Sequence, residues 1–238
     1  MTRQIFLDTE TTGISHQQGH RIIEIGCLEA IDRKMTQNHF HYYINPDRDI
    51  DEGAMRVHGI TTEFLQDKSK FDVIGQAFLD YIQDAEIIIH NAPFDVGFLD
   101  AELRRLFPKY PGMAAQVTIT DTLVMARKKH PGQKNNLDAL CRRYAIDNAH
   151  RELHGALLDA QLLAQVYFRM TGGQAALFSE SSVQSHQKAS VDVASSSLSV
   201  SSVYQHQLSS PEKQQHQVYL QSLEQDQGCL WTSNDIAP

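Results

Sequence analysis

The sequence predicts an α/β fold: a mixed sheet flanked by helices, with a largely disordered C-terminal tail behind it. Three observations lead there. Three strand-like apolar runs lie close together at residues 5–7, 21–30 and 38–44. Beyond them, helical periodicities alternate with short strand-like runs as far as residue 170. From residue 174 the composition changes: two serines (Ser15, Ser69) fall in residues 1–173 and 15 in residues 174–238, where glutamine is also frequent, a makeup unsuited to a packed core.

The first strand carries Ile5-Phe6-Leu7 into Asp8 and Glu10 and ends at a Thr11-Thr12-Gly13 turn. Short connections to the next two runs predict an antiparallel meander. Phe71, Ile74, Phe78 and Ile82 keep helical spacing, and residues 86–90 form an Ile-rich run of the buried-strand kind. A helix then begins around Asp95, with Leu99, Leu103 and Leu106 on one stripe. Residues 117–120 read as a strand. Leu137, Leu140, Cys141 and Tyr144 form a helix face, and residues 158–170 form a last helix stopped by Gly172. Three strands followed by α, β, α, β, α, α is an order found in ribonuclease-H-like folds, although periodicity alone leaves that fold one candidate among several.

Residues 1–173 make one ordinary domain. Cys27, Cys141 and Cys229 are far apart, odd in number and without CxxC spacing, which argues against a disulfide framework and a zinc site. With no signal-peptide pattern and no run of 18 apolar residues, a cytoplasmic protein is expected. The net charge of −8 is shared equally by domain and tail. A protein that held nucleic acid by charge neutralisation alone would be basic, so metal ions or partner proteins must supply attraction if nucleic acid is the substrate.

Asp8 and Glu10 stand two apart on a strand, so both side chains leave one face. Taken alone the pair reads as a solvated strand end. Asp95, just beyond a strand end at a helix start, sits where open α/β sheets build sites. Asp159 interrupts the apolar stretch Ala156-Leu157-Leu158-Asp159-Ala160 on a stripe running through Leu163, Val166 and Met170. A carboxylate on a buried helix face needs a counter-charge or a metal. No Arg or Lys is regularly spaced to serve, so a divalent cation shared with Asp8 and Glu10 is the simpler answer, and oxygen ligands suit Mg²⁺ or Mn²⁺. His154 precedes Asp159 by five residues and belongs to a residue type that titrates near neutrality.

Asp8-Thr9-Glu10-Thr11-Thr12-Gly13, Asn91-Ala92-Pro93-Phe94-Asp95, and His154 with Asp159 resemble the three motifs of the histidine-containing branch of the DEDD 3′→5′ exonuclease superfamily. Within it the chain is most similar to the proofreading exonucleases of bacterial replicative DNA polymerases. Val57-His58-Gly59-Ile60, Asn136-Leu137-Asp138-Ala139-Leu140-Cys141 and residues 154–160 carry that further likeness. The resemblance implies two divalent ions held by Asp8, Glu10, Asp95 and Asp159, with Asp8 as the expected bridge and His154 as the general base. It also implies contacts to the terminal nucleotide from Thr11, His58, Asn91 and Phe94. The acid that family members place before Val-His-Gly is represented here by Glu52 or by no residue. The basic segment Arg127-Lys128-Lys129 with Lys134 reads more readily as a solvated face than as a backbone track.

In the tail, Gln174-Ala175-Ala176-Leu177-Phe178 resembles the Gln-x-x-Leu-Phe motif that docks bacterial proteins on the sliding clamp. Residues 179–215 read as a flexible Ser/Gln-rich linker, and residues 216–238 as a polymerase-binding segment anchored by Leu230 and Trp231. The partners expected are DNA 3′ ends, the polymerase catalytic subunit and the clamp, at nucleoid replication forks. A small stabilising subunit is a further candidate. Two alternatives remain open to sequence: a free-standing RNA-trimming exonuclease of the same superfamily, which would not need the tail, and an accessory protein that no longer cuts, which would not need the full residue set.

Overall fold

The computed structural model describes residues 2–148 and 153–172. Gln174, Leu177, Phe178, Leu230 and Trp231, and with them the tail segments, lie outside the described residues.

Strands β1 (Arg3–Thr11), β2 (Ile22–Ile31) and β3 (Lys34–Tyr43) form the expected antiparallel meander. Asp32 and Arg33 join the second pair, both at positive φ (49° and 65°), the twist a two-residue hairpin requires. β3 begins four residues before the apolar run seen in sequence, because residues 34–37 are mostly exposed, with Met35 the one apolar side chain among them, and carry no burial signal. Strands β4 (Glu86–Ile89) and β5 (Thr118–Asp121) add in parallel beside β1, giving the order β3-β2-β1-β4-β5. The sheet is therefore mixed, with helices on both faces.

Strand alternation divides the core. Ile5, Leu7, Ile25, Cys27, Ile87 and Ile89 face one side and pack with helices α3 (Phe71–Ile82) and α4 (Ala92–Leu106) through Phe78, Leu99 and Leu103. Phe6, Ala30 and Ile88 face the other side and pack with α6 (Leu137–Arg143) and α7 (Ala156–Gly172) through Leu140, Leu163 and Val166. Because both faces are covered, β1 shows no polar alternation in its first half. Cys27 and Cys141 are buried, and among the described residues neither forms a disulfide.

Three helices escape the sequence pattern. Helices α1 (Glu52–His58) and α2 (Thr62–Leu65) are one or two turns long and bury one residue each, too short for periodicity to show. Helix α5 (Thr122–Lys129) ends in Arg127, Lys128 and Lys129 and owes its start to Asp121, whose side chain accepts from the N–H groups of Leu123 and Val124. Among the described residues no helix is long and apolar enough to cross a membrane.

Candidate active site

The site lies at the end of β1, next to the parallel strands. Asp8 and Glu10 leave the α6–α7 face of β1, and Asp8 stands opposite Gly26 of β2. A Cβ on Gly26 would lie 2.3 Å from the Ala156 carbonyl carbon and the Leu157 nitrogen. The first turn of α7 therefore rests on bare β2 backbone. That close approach carries Asp159, 3% exposed, into the neighbourhood of Asp8 and Glu10.

Asp95 arrives from the opposite face. Asn91, at φ 67° in the left-handed region that Asn tolerates, turns the chain out of β4 into α4. The Asn91 N–H donates to Asp121 Oδ1 at 3.2 Å. One turn on, Asp95 Oδ1 accepts both the Thr9 hydroxyl (2.7 Å) and the Thr9 N–H (3.1 Å). Thr9 points away from Asp8 and Glu10 by strand alternation, so the middle residue of the Asp-Thr-Glu run ties the second motif to the first. Burial raises the Asp95 carboxyl to about 7, nearby Asp121 adds to the rise, and the Thr9 hydrogen bonds oppose it.

His154 is fixed by its backbone, its N–H donating to the Val57 carbonyl at 3.0 Å. Leu153 packs over Gly59, whose φ of 70° ends α1. The half-exposed imidazole places Nδ1 3.3 Å from Asp159 Oδ2.

These five residues, with Asn91 and Phe94, line one cavity of about 680 Å³. Ligand atoms of Glu10, His154 and Asp159 lie within 4.8 Å of one another, and Asp8 and Asp95 share the cavity. Hard carboxylate oxygens drawn from three elements, two of them buried on helices, suit a divalent cation. That grouping joins Glu10, His154 and Asp159, and Asp8, the residue expected to bridge, lines the same cavity. Phe94 is half-buried, its ring 5.0 Å from that of Phe98, so it serves the core and the cavity wall together.

The other expected nucleotide contacts do not line the cavity. Thr11 is buried, and its hydroxyl donates to the Gly13 carbonyl at 2.7 Å. His58 is 5% exposed, and its Nδ1 accepts the Ile60 N–H at 3.0 Å. Burial lowers its pKa against the upward pull of the Thr11 carbonyl. Glu52 opens α1 with its side chain exposed and pairs with Arg56 at 3.7 Å. Sequence reasoning missed a second wall formed by Leu123, Arg127, Gln133, Asn135, Asn136 and Asp138. The basic segment Arg127-Lys128-Lys129, read more readily as a solvated face, and the Asn-Asn pair ahead of α6, an N-cap signal, were its traces in the sequence.

An exonuclease family model matches residues 5–167. DNA polymerase III subunit epsilon of Pasteurella multocida is 57% identical over 183 residues, which are 75% of this chain and 72% of that protein. The Haemophilus influenzae subunit is 49% identical over 242 residues, covering 96% of this chain and 94% of its own length. Among solved structures, exonuclease X in complex with 5′ overhanging duplex DNA superposes with a TM-score of 0.53 at 28% identity, covering 74% of this chain and 93% of that one. The chain belongs to this exonuclease family and, within it, to the epsilon subunits of DNA polymerase III.

Proposed function

We propose that this 3′→5′ proofreading exonuclease uses Asp8, Glu10, Asp95 and Asp159 to hold two divalent ions, Mg²⁺ or Mn²⁺, at the end of a DNA strand, with His154 as its general base. The observation that carries the reading is the convergence of the four carboxylates and the histidine, from β1, α4, α7 and the segment before α7, on one cavity. When bound, such ions would supply positive charge to the attacking water and to the leaving 3′ oxygen of an in-line displacement.

The chain's own residues do the positioning. Thr9 holds Asp95 by two hydrogen bonds. Gly26 lets α7 bring Asp159 against β1. His154 takes the proton from water, and Asp159 Oδ2, 3.3 Å from its Nδ1, steers the ring and stabilises the imidazolium that results. Asn91 and Phe94 meet the terminal nucleotide, Phe94 offering a ring face to sugar or base.

The tail completes the proposal. Gln174, Leu177 and Phe178 dock on the sliding clamp, and the segment around Leu230 and Trp231 anchors to the polymerase catalytic subunit. The linker between them keeps the acidic domain at a local concentration up to the millimolar range, so weak affinity for a primer end is sufficient. The clamp motif and the apolar anchors in the sequence support this division.

Digestion of 5′-labelled single-stranded DNA, with RNA of the same sequence in parallel and with and without Mg²⁺, tests the reading. Stepwise shortening of DNA from the 3′ end that requires Mg²⁺ is the expected result. DNA left intact while RNA is trimmed would overturn it.

A further inference from the structure

A phosphodiester strand reaching this cavity meets two chemically different walls. One carries the carboxylates of β1, α4 and α7. The other comes from a continuous stretch, residues 123–138, and among the described residues lining the cavity Arg127 is the sole Lys or Arg. Of the basic run, Lys129 turns to the Met170 carbonyl, and neither Lys128 nor Lys134 lines the cavity. Arg127 follows Leu123 by one helical turn, so the two share the cavity face of α5. It is exposed, and among the described residues no acidic side chain pairs with its guanidinium.

The same wall is braced. Asn135 donates to the carbonyls of His130 and Gln133, while Arg143 donates to Asn135 Oδ1 and to the Lys134 carbonyl. Asn136 Oδ1 is taken by the Ala139 N–H at 3.0 Å, which leaves its amide nitrogen as a donor. Asp138, the acid of this wall, accepts from Asn148 at 3.3 Å. A cation with no acidic partner among the described residues, beside neutral amide donors held by the wall, suits a phosphodiester and its sugar, whereas the carboxylate wall repels both the phosphate and its neighbours.

We infer that Arg127 is a binding residue for a phosphodiester upstream of the scissile bond, so that the α5–α6 wall, with Gln133 and Asn136, guides the single strand away from the reacting phosphate. The inference rests on the exonuclease reading and adds the path of the substrate to it. An acidic chain gains one localised attraction where the strand leaves the carboxylates.

Two substrates separate the upstream contact from the reacting one. The p-nitrophenyl ester of thymidine 5′-monophosphate has the phosphate that is attacked and no upstream nucleotide, whereas a single-stranded oligonucleotide has both. With the full chain and Mn²⁺, Arg127→Gln is expected to lower the ratio of kcat/KM for the oligonucleotide to that for the ester by about tenfold. The dependence of log(kcat/KM) for the oligonucleotide on log[salt] should become shallower by about 0.7, the loss of one single-strand phosphate contact. Arg127→Lys should keep the slope. Thermal melts of both variants check that α5 is intact. An unchanged ratio, or equal losses on the two substrates, would overturn the inference. A wild-type chain that cuts neither substrate would instead sink the exonuclease reading, before any variant is compared.

Discussion

Thr9 donates both its hydroxyl and its backbone N–H to one oxygen of Asp95, at 2.7 and 3.1 Å. The two residues are 86 positions apart and belong to opposite sides of the sequence pattern, one on a strand and one on a helix. Their contact fixes the carboxylate of α4 against the end of β1. Thr9→Val keeps the shape and removes the hydroxyl. It is expected to destabilise the domain by about 1–3 kcal/mol through an under-satisfied buried carboxyl, and to weaken activation by Mg²⁺. A Mg²⁺ titration of the cleavage rate checks this; an unchanged half-saturation point would show that Thr9 does not position Asp95.

Asp95 also sets a pH dependence in the metal-free chain. Its ordinary value of 3.8 is raised to about 7 in the fold, so between about pH 4 and pH 7 the native state binds a proton that the unfolded chain has released. Native stability therefore falls as pH rises through that window and levels off above it. In EDTA, Asp95→Asn should lose less melting temperature than wild type between pH 5 and pH 8. Parallel curves for the two proteins would refute burial as the dominant influence on this group.

Gly26 tests how α7 is placed. Its missing side chain admits the Ala156–Leu157 backbone, which a Cβ would meet at 2.3 Å. Backbone cannot rotate aside as a side-chain tip can. Gly26→Ala is thus expected to destabilise by about 1–3 kcal/mol through overpacking, and to reduce cleavage by moving Asp159 away from Glu10. Wild-type activity with a wild-type melting temperature would mean that α7 shifts without consequence.

His154→Ala should reduce kcat by about 100- to 10 000-fold and abolish the acidic limb of the pH–rate profile, because only a neutral imidazole accepts a proton from water. Metal affinity should change less than kcat. An acidic limb that survives the substitution assigns the base to another residue.

Much of this was legible in the sequence because its signals are local. Phe71, Ile74, Phe78 and Ile82 mark α3 to the residue, and Asp159 betrays itself as an acid on an apolar stripe. Asp8 and Glu10 could be placed on one face by strand geometry alone. What stayed hidden depends on tertiary approach. Nothing beside Gly26 in the chain announces that α7 lies on it, and Thr9 looks like a spacer until Asp95 arrives from the other side of the sheet. His58 shows the converse: it stands in a suggestive motif, yet the fold buries it and engages its Nδ1 with Ile60. Arg127 read as part of a solvated basic run because helical phase within eight residues does not reveal which of three neighbours faces a cavity.

In the proposed site, the carboxylates of three elements act together on two ions. Calorimetric titration of Mn²⁺ into the full chain with a single-stranded oligonucleotide present, compared with Asp8→Ala and Asp159→Ala, tests it most directly. Two ions per wild-type chain are expected, with at most one in either variant and a loss of cleavage in the variants by several orders of magnitude. Two ions retained in both variants, or cleavage by wild type that persists in excess EDTA, would contradict it.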